Sequence, residues 1–495
     1  MELETRDHYL KSLREVEGCL YDFSYDEKEL QGLIQDIDKQ ELLVPVIGNF
    51  SVGKSSLINE FLGENSLRVG ITPETSIATE LHYSSVDRVE AYAEEEIFKD
   101  INVNEEEELK NNKYIKMYLN NKILEAGDIL FKNNPLSIVC SIVCPHEKQC
   151  EGSCILNRKS KGVEFGKIEN EISNCYIDNV DFAIHKLNDR KSRVAIIGGG
   201  PAGIAIAFIL AFKGYDITIY ESHSQIGGVL RYGIPEFRLP KVTIDKLEKK
   251  LMEIGVKIRP NILIGPTLTL DDIFNDGYGA IFIGTGTWNP RKLKIKGEAL
   301  GNVHYAIDYL KSPEYYKLGE KIVIIGAGNV AIDAARTMIR NGAKEVLLLN
   351  REGEAGITAN RKEFNDAVAE GVQEMNFKTV LEIKDDGVVI ANTELTEKDG
   401  VADYSVDYDS ERFYKCNSVV VAISQGPRSN IVSTNKELEI NEKGLIVTNI
   451  DGSTTKKGVF SGGDVVTGAK TVVEAVKMSK IIAEKMDEYM RNEYK

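Results

Sequence analysis

A chain of 495 residues with 42% hydrophobic side chains is long enough for roughly three domains, each with its own core. Its formal net charge of −16 argues against nucleic acid, or an anionic membrane, as the main partner. The stretch Met1–Arg14 is charged and polar, so no secretory leader is expected, and the expected compartment is the cytoplasm.

In chain order, residues 7–39 alternate charged and apolar positions at helical spacing. The apolar run Leu42–Ile47, expected as a strand, then leads into Gly48-Asn49-Phe50-Ser51-Val52-Gly53-Lys54-Ser55 and a helical stretch. This is the GxxxxGKS phosphate loop. Its backbone N–H groups from Gly48 to Gly53 would cradle phosphates, with Lys54 reaching the β/γ-phosphates and Ser55 holding Mg²⁺ of a bound GTP. The loop and the later Gly70-Ile71-Thr72-Pro73-Glu74-Thr75 resemble dynamin-like GTPases, and that resemblance implies a switch role for Thr75. It runs to Tyr114–Asn121 and then stops. Neither a DxxG strand end nor an (N/T)KxD base reader follows, so GTP hydrolysis is not expected.

Seven cysteines occur, four of them as Cys140-x3-Cys144-x5-Cys150-x3-Cys154. In a chain without an export signal such a cluster points to metal or iron–sulfur ligation rather than disulfides. Further on, the apolar run Val194–Ile197 closes on Gly198-Gly199-Gly200-Pro201-Ala202-Gly203 and a second apolar run, Ile204–Phe212. Strand, glycine turn and helix start form the dinucleotide-binding fingerprint. Gly198 permits the turn, Gly200 admits a pyrophosphate, and Gly203 lets helix and strand pack closely. Glu221, after the next expected strand, is placed for a ribose hydroxyl. A second copy follows at Gly326-Ala327-Gly328-Asn329-Val330-Ala331, after Ile322–Ile325. Its next strand ends in Asn350-Arg351-Glu352; an arginine there suits a 2′-phosphate, where a carboxylate would suit NAD.

From about Leu124 to the C-terminus the chain resembles the small (beta) subunit of NADPH-dependent glutamate synthase, with relatives in dihydropyrimidine dehydrogenase and electron-bifurcating transhydrogenases. The string Gly227-Gly228-Val229-Leu230-Arg231-Tyr232-Gly233-Ile234-Pro235 matches that family's flavin-side signature, which implies that Gly228 and Arg231 contact FAD. The strand Ala280–Ile283, ending in Gly284-Thr285-Gly286, would return toward the flavin. Gly463-Asp464 would face its ribityl chain or phosphate. Arg351 and Arg361 would bind NADPH, with NADH possible, since Glu352 stands where the family has a second arginine. The family places [4Fe–4S] ligands at positions matching Cys144, Cys150, Cys154 and Glu169, whereas Cys140 matches a position that is usually not a ligand. The family's first cysteine set is missing, as only Cys19 precedes Cys140. Three outcomes stay open: no cluster, a rearranged one on Cys140, Cys144, Cys150 and Cys154, or completion by a partner chain. No CxxC pair occurs, so dithiol reduction is not expected, and no acid–base residue is assignable.

The expected architecture is α/β. A partial P-loop GTPase-like segment (1–122) precedes a helical cysteine segment (123–190). A discontinuous Rossmann-like FAD domain (191–311 and 427–495) follows, with a Rossmann-like NAD(P) domain (312–426) inserted in it. One junction near residues 121–124 accounts for both missing motif sets, as in a fusion of fragments of two genes. The expected function is electron transfer from NADPH through FAD to an iron–sulfur centre or to a partner resembling the glutamate synthase large subunit. The alternatives are a dynamin-like nucleotide-binding protein with a redox appendage, or a fusion without function.

Overall fold

A computed structural model describes residues 123–158, 162–185, 191–398 and 401–493, and the backbone strands Ala78–Tyr83, Arg88–Ala93, Glu96–Ile101 and Tyr114–Leu119. The expectations for Cys19, Gly48, Gly53, Lys54, Ser55 and Thr75 lie outside the described residues. The chain divides into two compact units, Met1–Asp128 with Glu151–Val163, and Ile129–Cys150 with Glu164–Lys495. In the first, the four strands form one mixed sheet. Tyr114–Leu119 lies parallel to Ala78–Tyr83 and antiparallel to Arg88–Ala93, which also pairs antiparallel with Glu96–Ile101.

The second unit holds two five-stranded parallel sheets. The first runs Val459–Ser461, Tyr278–Ile283, Lys191–Ile197, Tyr215–Tyr220, Lys257–Arg259 in spatial order. Parallel strands covered on both faces read as unbroken apolar runs, and Val194–Ile197 and Tyr278–Ile283 are buried throughout. The order of the second is Val303–Tyr305, Ser418–Val421, Lys321–Ile325, Glu345–Asn350, Gln373–Asn376. All five of its strands lie between Tyr278–Ile283 and Val459–Ser461 in sequence, so the second sheet is an insertion into the first. Its first strand, Val303–Tyr305, comes from ahead of residue 312. A three-stranded antiparallel sheet, Lys378–Lys384, Gly387–Lys398 and Val401–Lys415, completes the insertion.

The helix Pro201–Phe212 starts with proline in its first turn, where the missing N–H costs nothing, and it is apolar all round. One side faces the first sheet. On the other it receives the C-terminal helix Val472–Glu493 and two aromatic side chains, Phe131 and Phe182, from the segments that flank the cysteine-bearing helices. An aromatic cluster makes this second join: Phe131 meets Phe208 edge-on at 5.0 Å, and Phe182 meets Phe212 at 6.0 Å. No described helix is long and apolar enough to cross a membrane.

The C-terminal helix is pinned by a buried carboxylate. Asp487 accepts from the Tyr215 hydroxyl at 2.7 Å and from Lys213 at 3.2 Å, and pairs with Arg491. Burial pushes this carboxyl up, but the bonds from Tyr215, Arg491 and Lys213 outweigh burial and leave it below the ordinary aspartate range. The stabilisation is therefore complete above the unfolded pKa and lost as the pH falls through the folded one. Asp487→Asn is expected to cost about 2 kcal/mol at neutral pH, with the gap from the unmodified chain closing below about pH 4 in urea titrations.

Candidate functional site

Both glycine loops stand at the carboxyl ends of their sheets, and one cavity of about 1320 Å³ is lined by both. At the first loop Gly198 has φ +99°, and a Cβ there would lie 2.6 Å from the Gly284 carbonyl oxygen. A Cβ on Gly203 would lie 2.0 Å from the Gly198 oxygen, so helix and turn meet at backbone distance. Gly200 caps the helix Pro201–Phe212, and Gly228 (φ +53°) approaches it so closely that a Cβ would stand 2.8 Å from the Gly200 Cα. Gly286, Gly463 and Asp464 also line the cavity.

Glu221 is buried at the tip of Tyr215–Tyr220, and protein donors engage both its oxygens. Gly199 N–H donates to Oε2 at 2.8 Å, while His223 N–H and the His223 ring reach Oε1 at 2.9 and 2.8 Å. Burial raises its pKa, the His223 and Gly199 bonds lower it further, and the carboxylate is held below the ordinary range. Ser222 Oγ also donates to Oε1 at 3.1 Å, so the acceptor position left open for a ribose hydroxyl is on Oε2, which holds the Gly199 N–H alone. The Asp464 carboxyl, bonded to Lys470 N–H, is pushed up to about 6 by burial.

Arg231 departs from the sequence expectation. Its Nε donates to the Ile226 carbonyl at 2.7 Å and its Nη2 to Asp245, and it does not line the cavity. The side chain braces the Gly227-Gly228 turn from behind. Lys241 fixes the same segment, donating to the carbonyls of Leu230, Ile234 and Leu239; burial pushes its ammonium down to about 8.

At the second loop Gly326 has φ +123°, a Cβ there would lie 2.5 Å from the Ala422 carbonyl oxygen, and Gly328 caps the helix Asn329–Arg340. Gly326, Gly328, Asn329, Val330 and Arg351 line the cavity, whereas Arg361 does not and pairs with Glu354. Asn329 Oδ1 accepts from the Asn360 N–H at 2.9 Å. Asn360 Nδ2 in turn donates to Glu147, between Cys144 and Cys150, at 3.1 Å. Asn350 also lines the cavity, with its amide engaged within the protein: Nδ2 donates to the Gly353 carbonyl and to Asn376, and Oδ1 accepts from the Glu352 N–H.

Between the two loops, Arg238 reaches from the first domain into the second. It donates to Asp333 at 2.7 Å and pairs with Glu363 at 3.3 Å. Burial pushes Asp333 up to about 6 even with Arg238 beside it, and its other oxygen is buried without a hydrogen-bond partner. Sequence reasoning missed Asp333 and Trp288, both on the cavity wall; a buried acid one turn into a nucleotide-loop helix was the available signal.

Cys140 and Cys144 are buried, and the Cys140 thiol donates to Cys144. That bond and burial push Cys140 well up, and accepting it draws Cys144 down. Cys144 lines the cavity, while Cys150 is exposed with its sulfur 3.6 Å from His146 Nδ1. Burial pushes the Glu169 carboxyl up. Cys154, in the other unit, accepts from Val163 N–H at 3.5 Å. Among the described residues no three histidine, cysteine or acidic side chains are grouped as metal ligands. The glycine cradles and buried acceptors fit FAD and a pyridine nucleotide.

The pyridine nucleotide-disulphide oxidoreductase family matches residues 192–479. The family described as dihydropyrimidine dehydrogenase domain II, 4Fe-4S cluster, matches residues 106–180, reaching back across the boundary expected at residue 122. The glutamate synthase [NADPH] small chain of Halomonas elongata is 32% identical over 406 residues, covering 76% of this chain and 85% of that one. The NAD-dependent dihydropyrimidine dehydrogenase subunit PreT of Salmonella typhimurium is 29% identical, covering 76% and 88%. Among solved structures, Mycobacterium tuberculosis FprA in complex with NADPH shares the fold, with TM-score 0.53 and 17% identity over 61% of this chain and 85% of that one. The chain belongs to the pyridine nucleotide-disulphide oxidoreductase family, as an FAD- and NADPH-binding oxidoreductase resembling the glutamate synthase small chain, with a 4Fe-4S-type domain ahead of it.

Proposed function

We propose that this chain oxidises NADPH at FAD and delivers the electrons to an acceptor on a partner subunit resembling the large chain of glutamate synthase. The observation that carries this reading is the single cavity lined by both glycine loops, Gly198–Gly203 and Gly326–Val330. Bound NADPH supplies a hydride, and bound FAD takes up the electron pair and can release it singly.

The protein's part is to bind and align. The bare backbones at Gly198, Gly200 and Gly228 admit a pyrophosphate to the N-terminus of Pro201–Phe212, where the helix dipole favours its charge. Gly326 and Gly328 do the same for the second dinucleotide at Asn329–Arg340. Glu221 accepts a ribose hydroxyl at Oε2 while the Gly199 N–H holds its carboxylate in place. Asp464 faces the first dinucleotide from the opposite sheet edge, at the end of Val459–Ser461. Arg238, bonded to Asp333, fixes how the inserted domain sits on the first.

The direct test is an anaerobic visible spectrum of the purified chain before and after NADPH. Flavin bands that bleach on addition are expected; absent flavin, or flavin that stays oxidised, would sink the reading. Arg238→Ala leaves Asp333 buried and unpaired. It is expected to cost about 3 kcal/mol, seen as an earlier thermal transition, and to slow flavin reduction with flavin content retained. The double variant Arg238→Met/Asp333→Leu should recover much of the stability without recovering the rate.

A further inference from the structure

The sequence offers Arg351 and Arg361 as the cations for a nucleotide 2′-phosphate, and the structure pairs each of them with a glutamate. Arg361 pairs with Glu354 and lies off the cavity wall. Arg351 lines the cavity, but its Nε is 3.2 Å from Glu352 Oε1, and its guanidinium sits 5.3 Å from the Tyr404 ring. Glu352 lines the cavity too, so its carboxylate faces any phosphate that Arg351 would receive.

A third cation stands at the same end. The register of the second sheet places Asn376 beside Asn350, so Phe377 and Lys378 leave their strand next to the Arg351 turn. Thr393 ties the two backbones together: its Oγ1 donates to the Arg351 carbonyl at 2.8 Å, and its N–H donates to the Phe377 carbonyl at 3.0 Å. Lys378 lines the cavity, and its ammonium donates at 2.7 Å to Asn392 Oδ1, a neutral amide. Among the described residues it enters no ion pair. A phosphate monoester carries about −2 charge, and an ammonium bonded to a neutral amide meets it without first surrendering a carboxylate.

From this placement we infer that Lys378, with Arg351, forms the 2′-phosphate site, and that Arg361 has no part in it. The inference rests on the NADPH reading above, and names the side chain that separates NADPH from NADH. It also assigns Glu352 the opposite effect, weakening phosphate binding and so narrowing the preference.

The test is calorimetric titration of the full chain with 2′,5′-ADP and with 5′-AMP, which differ by the 2′-phosphate and need no turnover. The unmodified chain should bind 2′,5′-ADP more tightly. Lys378→Gln should weaken 2′,5′-ADP by roughly tenfold while 5′-AMP shifts by less than about twofold, the ratio expected for one charge-assisted contact. Lys378→Arg should keep most of the affinity, and Arg361→Gln should leave both probes unchanged. The inference is overturned if Lys378→Gln weakens both probes equally, if Arg361→Gln is the variant that loses 2′,5′-ADP, or if the unmodified chain does not distinguish the probes. Tight 2′,5′-ADP binding with flavin that NADPH cannot bleach would sink the function proposed above and leave this site standing.

Discussion

Everything at the first dinucleotide site depends on backbone meeting backbone. The turn after Lys191–Ile197, the helix Pro201–Phe212, the Gly227-Gly228 turn and the end of Tyr278–Ile283 approach so closely that side chains at three positions, Gly198, Gly203 and Gly228, would collide with main chain. The tightest approach, 2.0 Å between a hypothetical Cβ on Gly203 and the Gly198 oxygen, leaves no room for even a methyl group. That closeness turns exposed N–H groups and a helix N-terminus toward a single place. Glu221 is then held over the turn by the Gly199 N–H, so the acceptor and the anion cradle are parts of one unit.

The second site repeats the cradle and adds a problem of alignment, because an inserted domain must sit correctly on the one that hosts it. Arg238 meets that requirement with a charge in place of an apolar contact. Asp333, Glu363, Arg336 and Glu370 extend the pair into a network within the inserted domain. Buried ion networks contribute little net stability compared with apolar packing, but they penalise misplacement heavily, since any shift leaves a charge without its partner. Such a contact suits a joint whose geometry matters more than its strength.

Both glycine loops were legible in the sequence because their requirements are local: an apolar strand, a turn at positive φ and a helix start lie within about a dozen residues of each other. The insertion was legible too, from the order of the two fingerprints. What could not be read were the directions of charged side chains. Arg231 belongs to a flavin-side string yet turns away to Ile226 and Asp245, and Arg361 is claimed by Glu354 seven residues earlier. Asp333 and Arg238 are 95 residues apart, and only the packing of the two sheets brings them together. Cysteine spacing, likewise, says nothing about where sulfurs point: Cys140 and Cys144 share a helical turn and hydrogen-bond to each other.

Asn360 shows how densely such a fold can load one side chain. Its Oδ1 caps the helix Arg361–Ala369 by accepting from Lys362 and Glu363, its Nδ2 reaches Glu147, and its backbone N–H holds Asn329 in the nucleotide loop. A helix end, a cysteine-segment contact and a cofactor loop thus share one residue, and a substitution there moves all three together. Any kinetic effect of replacing Asn360 is therefore a composite. Separating its parts needs paired substitutions, Glu147 with Asn360 and Asn329 with Asn360, because the energies of groups that share a partner do not add.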